Sequence, residues 1–383
     1  MRKILAMFLA ILFLFTSAVA CSKQEEPVNP GKDPSDDPVV DPTDDPDVPH
    51  GEPAEEIVFG DNDIYVAVDG DDSNPGTKDS PLASFAAAKE KVKTVGGDDK
   101  ITVWFRGGTY YLDATVVFDE TDRQNVVYRS YPDEEAVISG GKEITGWQTT
   151  EINGVTAWVA DVPQGEDFMS LYGKDGHLST TFYPEDTYLN GEPIKNGDGT
   201  KAYYQLDTSD MPEFIADDGV FIRVLNDPWE EQINRILSVD FTTGVLTFDV
   251  GGTTMSYNGN GYRYRFENIK AMLKKPGQWY LDTSESKVYY IPQAGESIDG
   301  FTLVYGNLMK LVDAKDIDNL VFAELTFSDT RRNRVGICIG QGCYQLNPTV
   351  SFVKSNNIKF NGCTIKNTGF NGLYIGEFSR NCV

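Results

Sequence analysis

Carboxylate side chains at turn positions near the end of the sequence could perform hydrolytic chemistry. Two carboxylates can hydrolyse a glycosidic bond when they flank it about 5 Å apart (retention) or about 6.5–9.5 Å apart (inversion). The turn-placed candidates are Asp329 and Glu377, and Asp316, Asp318 and Glu324 stand behind them. The alternative for Asp329 and Glu377 is an ordinary solvated turn residue.

Arginine and tryptophan side chains could bind the substrate of such chemistry. Arg331 and Arg334 belong to a small basic cluster in an acidic chain, and guanidinium forks suit sugar hydroxyls and carboxylates. Charge balance against Asp329 is the alternative. Trp229, in NDPWEEQ, is the loop-borne residue best placed to stack on a sugar ring. The remaining tryptophans lie in apolar strand contexts and are expected in the core: Trp104, Trp147, Trp158 and Trp279.

The sequence predicts neither a metal ion nor another cofactor. The only histidines are His50 and His177, which argues against zinc or histidine-based catalysis. The segment DGDDSNPG (69–76) alternates like a calcium loop but lacks the later glutamate in register, so it does not predict a Ca²⁺ site. Cys363 and Cys382 fall at inward positions of the repeats described below, and we expect small core side chains there, not a disulfide framework.

Charge also excludes one class of partner. The formal net charge of the chain is −26, so little basic surface is available to neutralise the phosphates of a nucleic acid. Residues 22–59 hold twelve acidic and two basic side chains within a run of D-P and D-D-P repeats. Like-charge repulsion and the scarcity of apolar side chains predict an extended, unfolded stalk over residues 21–59.

The first twenty residues predict export. Arg2 and Lys3 precede the apolar run ILAMFLAILFLF, and the small-residue stretch TSAVA leads to Cys21. AVAC resembles a bacterial lipobox, which predicts cleavage after residues 1–20 and a lipid anchor on Cys21; an ordinary signal peptide is the alternative. The following SKQEEP resembles the acidic tag of surface-exposed outer-membrane lipoproteins. We therefore expect a lipoprotein on the cell surface.

Two stretches near the end of the sequence repeat each other. When DNLVFAELTFSDT (318–330) is set above NNIKFNGCTIKNT (356–368), Phe322 pairs with Phe360 and Phe327 with Ile365. GICIG (336–340) matches GLYIG (372–376), and 341–354 between the copies is expected to project as a loop. Inward positions two apart, separated by turn-forming residues, indicate three short strands per repeat. Asn319, Asn357 and Asn381 share one repeat position, which predicts an asparagine ladder at a corner.

The repeats favour a parallel β-helix over an antiparallel sandwich with coincidental repetition. In DSPLASFAAAKEKV, we expect Ser80 to cap a helix that starts at Pro81 and covers the open end of the coils with Leu82, Phe85 and Ala86. Residues 60–147 are then the N-terminal cap and first coils. Hairpin signals such as Asn153-Gly154 predict an inserted antiparallel β-domain over 148–312, and coils resume over 313–383.

Several segments together resemble a known family: YVAVDGDDSNPGTKDSPLASFAAA (65–88), FRGGTYYL (105–112), YRSYPDEEAVISGGKEITGW (128–147), KKPGQWYLD (274–282) and LTFSDTR (325–331). They look like bacterial right-handed β-helix carbohydrate-active proteins, closest to glycoside hydrolase family 141. The resemblance implies an all-β, right-handed parallel β-helix with an inserted β-sandwich-like domain. It also implies an enzyme acting on plant or host glycans, a glycoside hydrolase or polysaccharide lyase.

The same resemblance sets an expectation about completeness. Proteins of this kind carry more coils than the repeats found here, and their catalytic acids would be expected in those coils. We therefore interpret the sequence as truncated at its C-terminus. Two alternatives to an active hydrolase stay open: a non-catalytic glycan-binding or scaffold lipoprotein, and an inactive fragment.

Overall fold

The computed structural model describes residues 57–191, 194–195, 202–203, 206–217, 219–227, 230–248, 262–332 and 347–382. Strands dominate these residues, and the one α-helix among them is α1 (Phe85–Thr94). Short 3₁₀ helices lie at Thr208–Asp210, Glu213–Ala216 and Lys270–Met272. The predicted all-β fold class is confirmed.

Three of the sheets are parallel throughout. Sheet 1 contains β1 (Ile64–Val66), β2 (Ile101–Phe105), β5 (Val126–Ser130), β24 (Leu320–Ala323) and β27 (Lys359–Asn361). Sheet 2 contains β3 (Gly108–Tyr111), β6 (Ala136–Ser139), β25 (Leu325–Ser328) and β28 (Thr364–Ile365). Sheet 3 contains β4 (Val116–Phe118), β23 (Val312–Lys315), β26 (Val350–Val353) and β29 (Leu373–Gly376).

The chain passes through the parallel sheets in the same order, from sheet 1 to sheet 2 to sheet 3, in each successive coil. Equivalent side chains of neighbouring coils therefore stack. Phe322 of β24 pairs with Phe360 of β27 in a parallel register, with ring centroids 5.9 Å apart. Phe327 pairs with Ile365 in the same way. Both pairs were predicted from the repeats and are confirmed.

The predicted asparagine ladder is also present. The side-chain amide of Asn357 donates to Oδ1 of Asn319 at 2.9 Å, and that of Asn381 donates to Oδ1 of Asn357 at 3.1 Å. All three residues have φ between 53° and 57°. Asparagine tolerates this left-handed backbone better than most residues, so one residue type satisfies both the corner conformation and the ladder.

The third strand of the last two coils differs from the prediction. Leu373 and Ile375 pair with Val350 and Phe352 of β26. The stretch 341–354, expected to project as a loop, therefore contains a sheet strand at Val350–Val353. Residues 336–340 lie outside the described residues. Among the described residues, VSFV (350–353) pairs in parallel register with both β23 and β29.

Helix α1 begins four residues later than expected. Ser84, not Ser80, is its N-cap, and the Ser84 side chain accepts a hydrogen bond from the Ala87 backbone N–H. The buried face consists of Phe85, Ala88 and Val92, whereas Ala86 is exposed. The Phe85 ring packs in the same apolar core as the inward side chains of the coils.

The remaining sheets are antiparallel. Sheet 4 contains β7 (Gly141–Ile144), β10 (Leu171–Gly173), β11 (Gly176–Leu178) and β22 (Leu303–Gly306). Sheet 5 contains β8 (Gln148–Ile152), β9 (Val155–Asp161), β20 (Trp279–Asp282) and β21 (Lys287–Tyr290). Sheet 6 contains β12 (Phe182–Tyr183), β13 (Leu189–Gly191), β16 (Phe221–Asp227), β17 (Glu230–Asp240), β18 (Val245–Phe248) and β19 (Tyr262–Glu267). A separate two-stranded sheet consists of β14 (Ile194–Lys195) and β15 (Ala202–Tyr203).

The antiparallel part leaves and rejoins the coils at one corner. Residues Gly141 to Ile144 pair with Leu303 to Gly306, and the Leu308 N–H donates to the Gly140 carbonyl at 2.7 Å. The predicted Asn153-Gly154 turn is confirmed between β8 and β9, where both residues have positive φ. Sheet 6 buries one face in its own core and turns the other toward the coil turn at 330–332, which creates the site described next.

Candidate functional site

The second face of sheet 6 carries charged and aromatic side chains in register. Arg223 of β16 pairs with Arg265 of β19, and Leu225 pairs with Arg263. On the neighbouring strands, Phe182 pairs with Glu267 and Asn190 with Arg263, while Glu231 pairs with Leu225. Because side chains alternate between the faces of a strand, these residues share one side of the sheet. We call this surface the arginine face.

Its buried end is an ion-pair network. Arg223 donates to both carboxylate oxygens of Glu267 and to Glu231, and Arg265 donates from Nε to Glu267 at 2.8 Å. Burial raises the pKa of Glu267, but the charges and hydrogen bonds of Arg223 and Arg265 outweigh that effect and bring the pKa to about 2. Glu267 is therefore ionised at neutral pH and is unsuited to act as a general acid there.

The coil turn after β25 contacts the arginine face. Arg332 forms an ion pair with Glu231, which thereby accepts from two arginines. Arg331 pairs instead with Asp167 at 2.6 Å and approaches Glu166 at 4.0 Å. The predicted substrate-binding Arg331 is thus balanced by a carboxylate, although by Asp167 and not by the expected Asp329.

His177 lies at the mouth of this site. The residue is partly accessible to solvent, and its ring centroid lies 5.9 Å from that of Tyr172. Surrounding protein desolvates the ring and Arg332 and Arg223 repel its cation, so the pKa of His177 is below its ordinary value. His177 is therefore mainly neutral at pH 7 and can both donate and accept a hydrogen bond.

A small pocket opens beside Glu267. Its cavity volume is about 10 Å³, room for about one water molecule, and it is lined by Phe168, Met169, Thr180, Phe221, Glu267, Asn268 and Trp279. Pockets that enclose drug-sized ligands are typically about 300–1,000 Å³, so this one is too small to hold an oligosaccharide. A chain of sugars would have to bind on the open arginine face.

Aromatic rings stand against the guanidinium groups at the open end of that face. The Arg265 guanidinium carbon lies 4.6 Å from the Phe182 ring centroid and 5.2 Å from that of Tyr188. The Arg263 guanidinium carbon lies 5.8 Å from the Tyr188 ring. Stacking of this kind orients a guanidinium while leaving its N–H edge available for hydrogen bonds.

Asp329, the first predicted catalytic carboxylate, is buried at a corner of sheet 2. Its oxygens accept hydrogen bonds from Ser139 and Ser328 at 2.8 Å each and from Asn367 at 2.9 Å. These donors come from three successive coils, and Asp329 itself has φ of 63°. In this geometry Asp329 ties neighbouring coils together.

The other predicted site residues are not brought together with it. Glu377 is exposed in the turn after β29 of sheet 3, whereas Asp329 follows a strand of sheet 2, so they occupy different corners. Arg334, Trp229 and Cys21 lie outside the described residues. The tryptophans expected in the core are all buried: Trp104, Trp147, Trp158 and Trp279.

The carboxylates of Asp71 and Asp72, in the calcium-like segment, accept hydrogen bonds from nearby protein groups. Asp72 accepts from the backbone N–H groups of Ala83 and Ser84 and from the Ser84 hydroxyl, while Asp71 accepts from Ser73. Within the described part of the chain, no group of three or more His, Cys, Asp or Glu side chains is arranged to hold a metal ion. No helix among the described residues is long and apolar enough to cross a bilayer.

Comparisons with known proteins first define a class of fold. A solved structure described as a glycoside hydrolase superimposes with a TM-score of 0.63 at 21% identity, covering 84% of this chain and 65% of that one. The chain therefore shares the fold of a carbohydrate-active protein and spans just under two thirds of its length. No protein-family model matches the sequence.

Two relatives match over short segments. One is the uncharacterised protein YwoF of Bacillus subtilis, 38% identical over 77 residues, which are 20% of this chain and 15% of YwoF. The other is the pectate lyase PEL9 of Emericella nidulans, 36% identical over 86 residues, which are 22% of this chain and 20% of PEL9.

Sequence reasoning missed the arginine face. Arg223 and Glu231 lie on the consecutive strands β16 and β17, whereas Arg265 and Glu267 lie on β19, and only the pairing of β16 with β19 brings the two groups together. A signal did exist in YRYRFE (262–267), where charged residues alternate with aromatic ones. That alternation marks a strand with one apolar face and one charged face.

Proposed function

We propose that this protein acts on saccharides and is a glycoside hydrolase-like protein of a polysaccharide-degrading system. The observation that carries the proposal is the fold shared with a glycoside hydrolase over most of the chain. Fold alone does not fix chemistry, so the proposal also rests on a site of suitable kind. The arginine face offers guanidinium donors beside the Phe182 and Tyr188 rings, the combination that sugar hydroxyls and apolar sugar faces require.

The architecture belongs to the same proposal. The three parallel sheets are interpreted as a right-handed parallel β-helix, because parallel crossover connections are right-handed in nearly all proteins. Residues 60–147 would be its cap and first coils, 148–312 an inserted antiparallel β-sandwich-like domain, and 313–383 further coils. A plant or host glycan is the proposed partner, and no metal or cofactor is invoked.

Saccharide binding without hydrolysis is the second candidate. It is favoured by the state of the described carboxylates: Asp329 accepts three hydrogen bonds within the coils, and Glu231 and Glu267 are held by arginines. In that arrangement these carboxylates are committed to structure.

A panel of plant and host polysaccharides separates the two candidates. We expect the purified chain to bind at least one member, measured by calorimetry, and reducing-sugar release would identify it as a hydrolase. Asp329→Ala is expected to lower stability, because it removes three buried hydrogen bonds worth about 1 kcal/mol each. If Asp329→Ala instead abolishes turnover with unchanged thermal stability, Asp329 is catalytic. Failure to bind any saccharide would refute the proposed function.

Export and membrane attachment are proposed from the sequence. Cys21 would carry the lipid, and the acidic stretch 22–59 would hold the folded part away from the outer membrane. We expect Cys21→Ala to move the protein from the detergent-soluble membrane fraction to the aqueous fraction in a Gram-negative host. Serine at position 22 provides a matched control, since Ser22→Ala should leave the distribution unchanged. Equal membrane retention of both variants would contradict lipidation at Cys21.

A further inference from the structure

The arginine face has a charge opposite to that of the chain as a whole. The chain has a formal net charge of −26. On this face, Arg223, Arg235, Arg263, Arg265 and Arg332 contribute five positive charges, whereas Glu231 and Glu267 contribute two negative ones. These described side chains therefore leave three positive charges in excess. An excess of this kind in a strongly acidic protein indicates an anionic ligand.

Arg263 is the arginine of this face best able to bind that ligand. It is exposed, and among the described residues no carboxylate lies within ion-pair distance of it. The structure places its guanidinium against the Tyr188 ring, 5.8 Å from the centroid. A guanidinium in such a cation–π contact can still form a fork with two oxygens through its N–H groups.

The neighbours of Arg263 suit a sugar. Tyr188 is half-buried and its ring lies close to both Arg263 and Arg265, so one ring orients two guanidinium groups. Asn190 pairs with Arg263 across the strands and is exposed, and its amide can donate to and accept from sugar hydroxyls. The Glu231 carboxylate is engaged by Arg223 and Arg332, which reduces its repulsion of an anion.

We propose that Asn190, Tyr188, Arg263 and Arg265 form a subsite for the anionic group of an acidic saccharide. This inference rests on the proposed saccharide function and adds its substrate class. A planar carboxylate, as in a uronic acid, matches the guanidinium fork through two parallel hydrogen bonds, and a sulfate ester can be held by the same donors. A neutral saccharide leaves the N–H edge of Arg263 without an oppositely charged partner.

The test compares two pairs of saccharides, and the members of each pair differ mainly in charge. We would titrate the purified chain with an oligogalacturonate hexamer and its fully methyl-esterified form, and with a chondroitin sulfate oligosaccharide and its desulfated form. The acidic hexamer is expected to bind at least 10-fold more tightly than its methyl ester, and its affinity should fall as NaCl rises, because salt screens exposed charges. Tight binding of the sulfated oligosaccharide but not of its desulfated form would assign the anionic group as a sulfate.

Variants connect this preference to the subsite. Arg263→Gln is expected to weaken binding of the acidic ligand about 10-fold or more, which corresponds to loss of a charge-assisted hydrogen bond. Arg263→Lys, which keeps the charge but not the fork, should give an intermediate loss. Lys315→Gln removes an equal charge from the exposed surface of sheet 3 and should leave affinity unchanged. Arg263 is exposed, so all three variants should melt at the wild-type temperature.

Each contrary result has a distinct meaning. Acidic ligands that bind Arg263→Gln as tightly as the wild type would overturn the subsite. Equal binding of the acidic and methyl-esterified hexamers, or binding of neutral saccharides only, would overturn the preference for acidic sugars while leaving the proposed saccharide function intact. Absence of binding by every saccharide tested would overturn both.

Discussion

Phe322→Ala is expected to lower the free energy of unfolding by about 3–5 kcal/mol, the usual loss when a buried aromatic side chain is truncated. The Phe322 side chain is fully buried at the centre of the coils. Its ring centroid lies 5.6–6.1 Å from those of five other aromatic rings: Phe118, Tyr128, Phe327, Phe352 and Phe360. These rings come from successive coils, so a cavity at Phe322 loosens contacts along the axis of the stack.

Chemical denaturation of the purified protein measures this loss. Phe378→Ala is a matched control, because the Phe378 side chain is 79% exposed in the turn after β29 and should contribute less than about 0.5 kcal/mol. Equal midpoints for the two variants would show that the Phe322 stack does not stabilise the coils.

Acid is expected to weaken the arginine face through Glu267. The pKa of this carboxyl is lowered from its ordinary value of 4.5 to about 2 in the folded protein, and one pKa unit corresponds to about 1.4 kcal/mol. A carboxyl with a depressed folded-state pKa stabilises the protein above its unfolded-state pKa. That stabilisation, roughly 3 kcal/mol, is lost as the pH falls from about 4.5 toward 2.

Glu267→Gln should remove this acid dependence and destabilise the protein at pH 7 by about 3 kcal/mol. The substitution leaves the buried, charged Arg223 without the Glu267 carboxylate. Removing one partner of a buried ion pair is strongly unfavourable, because the other charge stays buried and uncompensated. The measurement is the unfolding free energy of both proteins between pH 2 and 7. Glu120→Gln, at an exposed turn, is the control and should retain the wild-type acid profile. If the unfolding free energy of Glu267→Gln falls with pH in parallel with that of the wild type, Glu267 is not the group that causes the loss of stability in acid.

The sequence was most informative where one residue type meets a single repeated requirement. Asn319, Asn357 and Asn381 could be placed at a common corner because a left-handed backbone and a ladder both favour asparagine. Phe322 and Phe360 could be paired because inward positions of adjacent coils must be apolar. Such requirements are local to one coil and its neighbour, so spacing in the sequence reveals them.

Other features depend on partners that the sequence does not reveal. VSFV is a short apolar segment, and only its register with β23 and β29 shows that it forms a strand of sheet 3. The predicted cap at Ser80 is wrong for a similar reason, because the contacts that make Ser84 the cap come from outside the helix. Asp72 holds Ser84 in the cap position, because its carboxylate accepts hydrogen bonds from the Ser84 backbone N–H and hydroxyl. The arginine face required the pairing of distant strands before its charges could be seen together.

The corner where the antiparallel part departs also bears on how such a chain can diversify. Gly140 and Leu308 are joined by a backbone hydrogen bond, and β7 runs beside β22, so the departing and returning segments are neighbours. The long segment between them therefore connects the coils much as a short turn would. The entropy cost of closing a loop rises only slowly with its length. Inserted domains of other shapes could therefore replace this one at the same junction without changing the strand register of the coils. Ligand preference could then evolve separately from the scaffold.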